Sequence, residues 1–262
     1  AAMRPIPATN KLWLHQKQCF LLLNELRRFM LFIDMGGGKT LLTLELLRYR
    51  KQCGEQIRAI VFVPYITSVE TWIEQVAEHT PDLKCVPLLG STAENRIRLE
   101  GPGDLFVICY QSAVAMVSKK TVTKKGKPKW NFQASEIRKY FSSFNMLVMD
   151  EIHKCKNVSS LTYRMCRAIS AQCEWVLGLT GTPFGRDLAD LWPQFYLIDF
   201  GETLGPTLGL YREVFYTSKP GYFGGFKYTF RKRLLPNLKR MIKNSSISYG
   251  IDDLHDMPPK QY

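Results

Sequence analysis

The sequence of 262 residues lacks the features of several protein classes. It contains no apolar run of ~18 residues, so a membrane-spanning helix is not expected. Its N-terminus has no apolar core like that of a secretory signal peptide. Seven cysteines occur without a CxxC pair, which argues against a disulfide framework and against a zinc site. Reduced, mostly buried thiols in an intracellular protein are the expectation that fits this pattern.

Acidic residues are scarce relative to basic ones. The chain contains 36 Lys and Arg against 23 Asp and Glu, and its formal net charge is +13. Such an excess favours a polyanionic partner, usually nucleic acid and less often an anionic membrane. Composition alone leaves open the alternative of a basic surface that binds nothing. Apolar residues make up 45% of the chain, enough for a sizeable core, and this excludes a disordered chain.

Short apolar runs alternate with helical patterns from residue 12 to about residue 200. Each run is continuously apolar, which is typical of strands that are covered on both faces. The predicted strands are residues 29–34, 59–63, 105–109, 145–149 and 175–179. Between them, apolar residues spaced three and four apart predict amphipathic helices. This alternation predicts an α/β fold, with a parallel sheet and helices on both of its faces.

Two segments interrupt the alternation. Residues 119–129 contain six lysines around a glycine and a proline, which predicts a basic β-hairpin or loop inserted at 119–132. Residues 211–230 contain eight aromatics, which we interpret as a small satellite core rather than as base-stacking platforms. The expected order is an N-terminal extension at 1–10, a lobe at 11–200, a helical and aromatic protrusion at 201–255 and the start of a linker at 256–262.

A glycine-rich loop, DMGGGKT, follows the first predicted strand and opens a helix. A P-loop motif indicates a phosphate-binding site when it lies between a strand and a helix, as it does here. Backbone N–H groups of Gly36, Gly37 and Gly38 would surround phosphate oxygens, and the helix N-terminus adds partial positive charge. Lys39 would reach the β- and γ-phosphates, and the Thr40 hydroxyl would bind Mg²⁺. The alternative reading is a flexible turn followed by a helix.

A second candidate site follows the strand predicted at 145–149. We expect this strand to lie beside the P-loop strand, where Mg²⁺ needs a second anchor, and Asp150 fits that role. Glu151 would then lie near the γ-phosphate and would orient or deprotonate the attacking water. Acidic pairs at strand ends are often only helix caps, so the prediction depends on the P-loop being present as well.

Ordered motifs over residues 11–200 resemble those of superfamily-two helicases, most closely the Swi/Snf-type DNA translocases. LHQ, which ends at Gln16, resembles the glutamine motif, in which Gln16 would read the adenine edge. VP at 63–64 with TW at 71–72 resembles the motif whose loop contacts the DNA backbone. DEIHKCKN, which starts at Asp150, is similar to the DEAH box, and LTGTP at 179–183 is the most diagnostic run.

The resemblance implies a RecA-like P-loop NTPase fold with a C-terminal helical extension. It also implies that His153 couples the nucleotide site to Thr180 and Thr182, and the alternative is a satisfied polar residue at a strand end. Tyr110 lies in the segment CYQS, where the family usually has Thr-Thr-Tyr, and would either contact nucleic acid or pack under the sheet edge. The candidate phosphate contacts in the insert are Lys119, Lys120, Lys124, Lys125, Lys127 and Lys129.

The function that the resemblance implies is the ATP-binding lobe of a DNA-dependent ATPase that translocates on or remodels duplex DNA. ATP and Mg²⁺ would be its cofactors, and Lys39 and Glu151 its catalytic residues. Duplex DNA rather than RNA is the expected nucleic acid, and a second RecA-like lobe would supply arginines, so the isolated lobe should be poorly active. The alternatives are a nucleic-acid-binding module with a nucleotide switch and no useful turnover, or an unrelated P-loop NTPase or kinase.

Two departures from the family pattern favour a bacterial or bacteriophage relative. Gly37 stands where the family usually has leucine, and FGR at 184–186 replaces a common segment of an apolar residue followed by Gln-Asn. The expected location is intracellular, in the cytoplasm for a bacterial or phage protein and in the nucleus for a eukaryotic one.

Overall fold

A parallel sheet forms the centre of the protein. The computed structural model describes residues 12–122, 126, 128–181, 187–220, 225–250 and 253. Within these residues the strands are β1 (Arg28–Ile33), β2 (Ala59–Val63), β3 (Cys85–Pro87), β4 (Leu105–Cys109), β5 (Ser118–Val122), β6 (Pro128–Phe132), β7 (Met146–Asp150), β8 (Trp175–Thr180), β9 (Tyr216–Pro220), β10 (Phe226–Phe230) and β11 (Ser246–Tyr249).

Ten α-helices accompany these strands in the described part of the chain. They are α1 (Leu14–Glu25), α2 (Lys39–Gln52), α3 (Ile66–His79), α4 (Thr92–Glu100), α5 (Tyr110–Val117), α6 (Ala134–Phe141), α7 (Leu161–Ser170), α8 (Leu191–Asp199), α9 (Leu208–Phe215) and α10 (Leu235–Ile242). A short 3-10 helix, Ile152–Cys155, follows β7 directly.

Seven strands pair in parallel in the order β11-β1-β8-β7-β2-β4-β3. Leu31 of β1 lies opposite Leu179 of β8, and Leu177 of β8 lies opposite Val148 of β7. The expectation that β7 lies beside the P-loop strand is therefore wrong, because β8 separates them. Parallel neighbours end at the same edge of a sheet, so the segments after β1, β8 and β7 still meet there.

Alternate residues of β1 show why both faces of the sheet are covered. Phe29, Leu31 and Ile33 pack in a core with α1, α2 and α3 on one face, whereas Met30 and Phe32 pack in a core with helices from α4 onward on the other. All five side chains are buried. Burial on both faces explains why the strands appear in the sequence as continuous apolar runs. The predicted α/β fold with helices on both faces is confirmed.

Two strands of the sheet, β3 and β11, were not predicted. β3 has only three residues, and β11 has the sequence SISY, so neither forms an apolar run. β11 pairs with β1 and forms the edge of the sheet. The sheet therefore extends beyond the lobe that was expected at residues 11–200. Tyr211, Phe215, Leu238 and Ile242 from α9 and α10 are also buried in the core that contains Met30.

The lysine-rich insert forms the antiparallel hairpin β5–β6, as predicted, with Lys120 opposite Trp130. Lys119 and Lys120 are exposed, and Trp130 is half-exposed. For Lys129 the structure describes the backbone in β6 and not the side chain. The predicted contacts at Lys124, Lys125 and Lys127 lie outside the described residues.

The aromatics after residue 210 divide into two groups. Tyr211, Phe215 and Tyr216 are buried, as a core role requires, but they belong to the core that contains Met30 and do not form a separate satellite core. Phe226 and Tyr228 of the hairpin β9–β10 are exposed, so a core role applies to only part of the segment.

Five of the seven cysteines are buried and none is paired in a disulfide, in line with the expected buried thiols. None of the helices in the described part of the chain combines the length and apolar composition that a membrane span requires.

Candidate functional site

The loop between β1 and α2 turns at two glycines. Gly36 and Gly38 have φ angles of 86° and 76°, in the left-handed region that glycine adopts without steric cost. The N–H of Gly37 donates to the carbonyl of Asp34 at 3.0 Å and closes the turn. α2 begins at Lys39, immediately after the loop. A tight glycine turn at a helix N-terminus offers backbone donors to an anion.

Helix α1 packs against this loop. His15 Nε2 lies 2.9 Å from the carbonyl oxygen of Gly37, and Gln16 Nε2 donates to the carbonyl of Gly38 at 3.5 Å. Gln16 Oε1 accepts from the backbone N–H of Trp13 at 2.9 Å, and the Gln16 side chain is fully buried. A Cβ at position 38 would lie only 2.1 Å from Gln16 Nε2. The structure thus brings Gln16 to the loop, and its contact with an adenine base stays a prediction.

Lys39 folds back over the loop. Its Nζ donates to the carbonyl of Ile33 at 2.6 Å and to that of Asp34 at 3.5 Å. A phosphate in the loop would offer the ammonium a charged acceptor in place of these neutral carbonyls, and charge-assisted hydrogen bonds are stronger. Thr40 occupies the second position of α2 and is partly exposed, as a metal ligand at this place would need to be.

Two aromatic residues hold Asp150 at the end of β7. Trp72 Nε1 donates to Asp150 Oδ2 at 3.1 Å, and the Tyr110 hydroxyl donates to the Asp150 carbonyl at 3.0 Å. Burial raises the pKa of Asp150, and the charge of Glu151 adds to the rise, whereas the Trp72 hydrogen bond and the charge of Lys39 oppose it. The carboxylate of Asp150 and the hydroxyl of Thr40 offer only oxygen donors, which is the donor type that suits Mg²⁺.

Tyr110 is a packing residue in this structure. Its side chain is 3% exposed, and its ring centroid lies 5.6 Å from that of Phe62. The hydroxyl points inward to the carbonyl of Asp150. The prediction that Tyr110 contacts nucleic acid is wrong, because burial leaves no surface of the ring for a partner. The alternative, packing under the sheet edge, is what the structure shows.

Glu151 adopts a left-handed backbone conformation with φ of 49°, which is uncommon for a residue other than glycine. Its Oε2 accepts from Thr180 Oγ1 at 3.1 Å and lies 3.1 Å from His153 Nδ1. Burial acts to raise the pKa of Glu151, but the His153 hydrogen bond, the charges of Lys39 and His153 and the Thr180 hydroxyl outweigh it and lower the pKa. The Glu151 carboxylate is therefore ionised at neutral pH and able to accept a proton.

His153 connects the acidic pair to the end of β8. Its Nδ1 lies 3.4 Å from Thr180 Oγ1, in addition to its contact with Glu151. His153, Glu151 and Thr180 therefore form one polar cluster, which is the arrangement that a coupling role requires. Thr182, the other predicted coupling residue, lies outside the described residues.

Sequence reasoning missed three residues that shape the site. His15 was named only as part of a motif, and Trp72 only as part of the segment at 71–72. The third is Trp13, whose backbone holds Gln16. A tryptophan in an amphipathic helix indicates that its indole N–H needs a hydrogen-bond partner. The sequence does not show which carboxylate that partner is.

These elements meet at one edge of the sheet. The glycine loop follows β1, Asp150 ends β7 and Glu151 follows it, and Thr180 ends β8 between them. The positive charge of Lys39 acts to lower the pKa of both Asp150 and Glu151, as expected for a cation at the same edge of the sheet. The fold and the site together define a RecA-like P-loop α/β lobe.

A family model for the SNF2-related domain matches residues 15–217, more than half of the chain. The chain therefore belongs to the SNF2-related domain family.

Two curated relatives illustrate the similarity. The rice (Oryza sativa subsp. japonica) protein "Probable chromatin-remodeling complex ATPase chain" is 30% identical over 162 residues, which cover 61% of this chain and 13% of the relative. The Danio rerio "DNA excision repair protein ERCC-6-like" is 25% identical over 205 residues, with 75% of this chain and 13% of the relative covered. The chain thus spans about an eighth of the length of these relatives.

Among solved structures, the Sulfolobus solfataricus SWI2/SNF2 ATPase core in complex with dsDNA has the same fold. It superimposes with a TM-score of 0.69 at 18% identity, and the match covers 97% of this chain and 49% of that chain. These relatives come from a plant, a fish and an archaeon, and they give no support to the expected bacterial or bacteriophage source.

The buried charge of Asp150 predicts a pH-dependent cost in stability. Because folding raises the pKa of Asp150, the ionised carboxylate is less favourable in the folded than in the unfolded chain. This cost is present above the folded-state pKa and disappears as the pH falls and the carboxyl is protonated. Asp150→Asn removes the charge and keeps an acceptor for Trp72, so the nucleotide-free variant should unfold at a higher temperature at neutral pH.

Thermal unfolding in EDTA, followed by circular dichroism, measures this difference. The gain should shrink as the pH is lowered, and Asp82→Asn, at an exposed aspartate, should show no gain. An unfolding temperature of Asp150→Asn at or below that of the wild type at neutral pH would contradict the prediction.

Proposed function

We propose that this chain is the ATP-binding lobe of a DNA-dependent ATPase that translocates on or remodels duplex DNA. The observation that carries the proposal is the convergence of the glycine loop, Lys39 and the pair Asp150 and Glu151 at one edge of the sheet. Membership of the SNF2-related domain family supports the same activity.

Each residue at this edge has a distinct task in the proposal. The loop N–H groups and Lys39 bind the phosphates of ATP, while Thr40 and Asp150 hold Mg²⁺. Bound Mg²⁺ would neutralise charge on the β- and γ-phosphates. Glu151 orients or deprotonates the attacking water, and its lowered pKa keeps it in the ionised form that either role requires. His153 and Thr180 share the Glu151 carboxylate and link hydrolysis to the loop after β8.

Duplex DNA is the proposed partner for two reasons. The chain has a formal net charge of +13, and the hairpin β5–β6 exposes Lys119 and Lys120. The Sulfolobus ATPase core, which shares the fold, was solved in complex with dsDNA. Lysines that contact phosphates position a protein on DNA without reading its sequence, as a translocase requires. An intracellular location follows from the proposed partner.

A second RecA-like lobe completes the proposed enzyme. The match covers 49% of the archaeal ATPase core, so half of that core has no counterpart in this chain. Charge that develops on the γ-phosphate needs cationic stabilisation, and an arginine supplied from another domain raises the rate by ~10³–10⁵ in related phosphoryl transfers. We therefore expect this lobe to hydrolyse ATP only weakly on its own.

Lys39→Ala tests the nucleotide site. The substitution removes the cation that we place on the phosphates, and a lost charge-assisted contact costs ~1.5–3 kcal/mol, so the affinity for ATP–Mg²⁺ should fall roughly tenfold or more. Isothermal titration calorimetry on the purified chain gives the Kd. Lys84→Ala, at an exposed lysine outside the site, is the control and should bind as the wild type does. An unchanged Kd for Lys39→Ala would refute the P-loop assignment.

The salt dependence of DNA binding tests the hairpin. The variant replaces six lysines with glutamine: Lys119, Lys120, Lys124, Lys125, Lys127 and Lys129. If about three of them neutralise phosphates, the slope of log K against log salt should fall by roughly 3, at ~0.9 per phosphate. The reduction should be similar for duplexes of any sequence.

Fluorescence anisotropy with labelled duplexes at several salt concentrations measures the slope. The control variant replaces Lys239, Arg240 and Lys243 in and after α10, and it tests whether lost net charge alone lowers the slope. A slope that is unaltered in the hairpin variant would show that the hairpin is a solvated loop away from DNA.

A further inference from the structure

Trp72 reaches from helix α3 to the acidic end of β7. Its side chain is 1% exposed and packs in the core between the sheet and α1, α2 and α3. A buried indole needs a partner for its N–H, and that partner here is Asp150 Oδ2 at 3.1 Å. The contact joins two segments that are 78 residues apart in the chain. Burial of the ring makes this hydrogen bond part of the fixed core rather than a surface contact.

The Asp150 carboxylate is therefore fixed from outside its own strand. The Tyr110 hydroxyl holds the backbone carbonyl of Asp150, and the indole of Trp72 holds one carboxylate oxygen. A donor that is bound to one oxygen restricts rotation of the carboxylate and so sets the direction in which its lone pairs point. Groups of this kind, which orient a metal ligand without touching the metal, control the affinity of metal sites.

A second contact ties α3 to the same acidic segment. Lys154 Nζ donates to the hydroxyl of Tyr65 at 3.0 Å and lies 4.8 Å from the centroid of its ring. Tyr65 is the residue that precedes α3, and Lys154 lies in the 3-10 helix after Glu151. Helix α3 is thus anchored at two points to the segment that carries the acidic pair, and its position determines where the indole of Trp72 stands.

We propose that Trp72 is a positioning residue for Mg²⁺, whose indole N–H orients the Asp150 carboxylate toward the metal. This inference rests on the proposed function, in which Asp150 is a ligand of Mg²⁺. Its consequence is specific, because loss of the N–H weakens the metal-dependent part of nucleotide binding and leaves the metal-independent part intact. Removal of such a partner typically lowers metal affinity by ~10–100-fold.

The experiment compares Trp72→Phe with the wild type in binding a fluorescent ATP analogue. Affinity is measured first in EDTA and then across a titration with Mg²⁺ at fixed nucleotide concentration. In the variant, the Mg²⁺ concentration at half-maximal response should rise by roughly tenfold or more. Binding in EDTA should be the same as for the wild type. Val76→Ala is the matched control, because Val76 lies one turn later in α3 and is buried in the same core.

A second variant separates the N–H from the size of the ring. Benzothienylalanine at position 72 keeps the bicyclic shape and replaces the N–H with sulfur, so it answers the question even if Trp72→Phe does not fold. It should show the same rise in the Mg²⁺ requirement, whereas Val76→Ala should show none.

Two results would overturn the inference. One is that both Trp72 variants need the same Mg²⁺ concentration for half-maximal response as the wild type, while nucleotide binding by the wild type does depend on Mg²⁺. The other is a loss of affinity that is equal with and without Mg²⁺ and is shared by Val76→Ala, which would assign Trp72 a packing role only. A third result is distinguishable from both, namely a wild-type nucleotide affinity that does not change with Mg²⁺. This result would refute the Mg²⁺ site of the proposed function, and the inference about Trp72 would then have no basis.

Discussion

Burial of the sheet on both faces is the constraint on which the site depends. Strands β1, β8 and β7 are covered by helices on either side, so polar side chains on them reach solvent only where the strands end. All three strands run parallel and end at the same edge. The chain places its glycine loop, Thr180 and the pair Asp150 and Glu151 at these three ends. Adjacent strands lie ~4.8 Å apart, so three strand ends span a width that suits a triphosphate and its metal.

The polar groups at this edge are held by close neighbours from other parts of the chain. Glu151 has a positive φ, and His153 and Thr180 both contact its carboxylate. Asp150 is held partly buried by Trp72, although burial opposes its ionisation. Strained backbone and buried charge destabilise a fold, and they accumulate where function requires them. A cation bound between Lys39's loop and Asp150 would lower the cost of that buried charge.

Local sequence patterns predicted the parts of the fold that depend on neighbouring residues in the chain. A continuous apolar run indicates a strand buried on both faces, and DMGGGKT indicates a tight turn before a helix; both were found. The order of strands is not local, and so β8 was not expected between β1 and β7. β11, with two serines in four residues, becomes a strand only because the edge of β1 accepts it.

The same distinction applies to the site. The residue types and their placement at strand ends indicated Lys39, Asp150 and Glu151, and the structure places the loop of Lys39 and the two carboxylates at the same edge of the sheet. For Tyr110 the sequence pattern does not decide the role, because an aromatic residue after a strand end can serve either for packing or for binding a partner. Only the contact with Phe62 and the carbonyl of Asp150 decides between these roles. The sequence indicated Trp72 as an apolar position of a helix. The role of its indole N–H became evident only from its hydrogen bond to Asp150.

We propose that this edge of the sheet hydrolyses ATP and that hydrolysis depends on DNA and on a second lobe. The most direct test is the steady-state release of phosphate from ATP, with and without duplex DNA, by residues 1–262 and by a longer chain that carries the proposed second lobe. We expect near-background release by residues 1–262, DNA-dependent release by the longer chain and its loss in Glu151→Gln. Robust, DNA-stimulated hydrolysis by residues 1–262 alone, or full activity of the longer Glu151→Gln chain, would contradict this expectation.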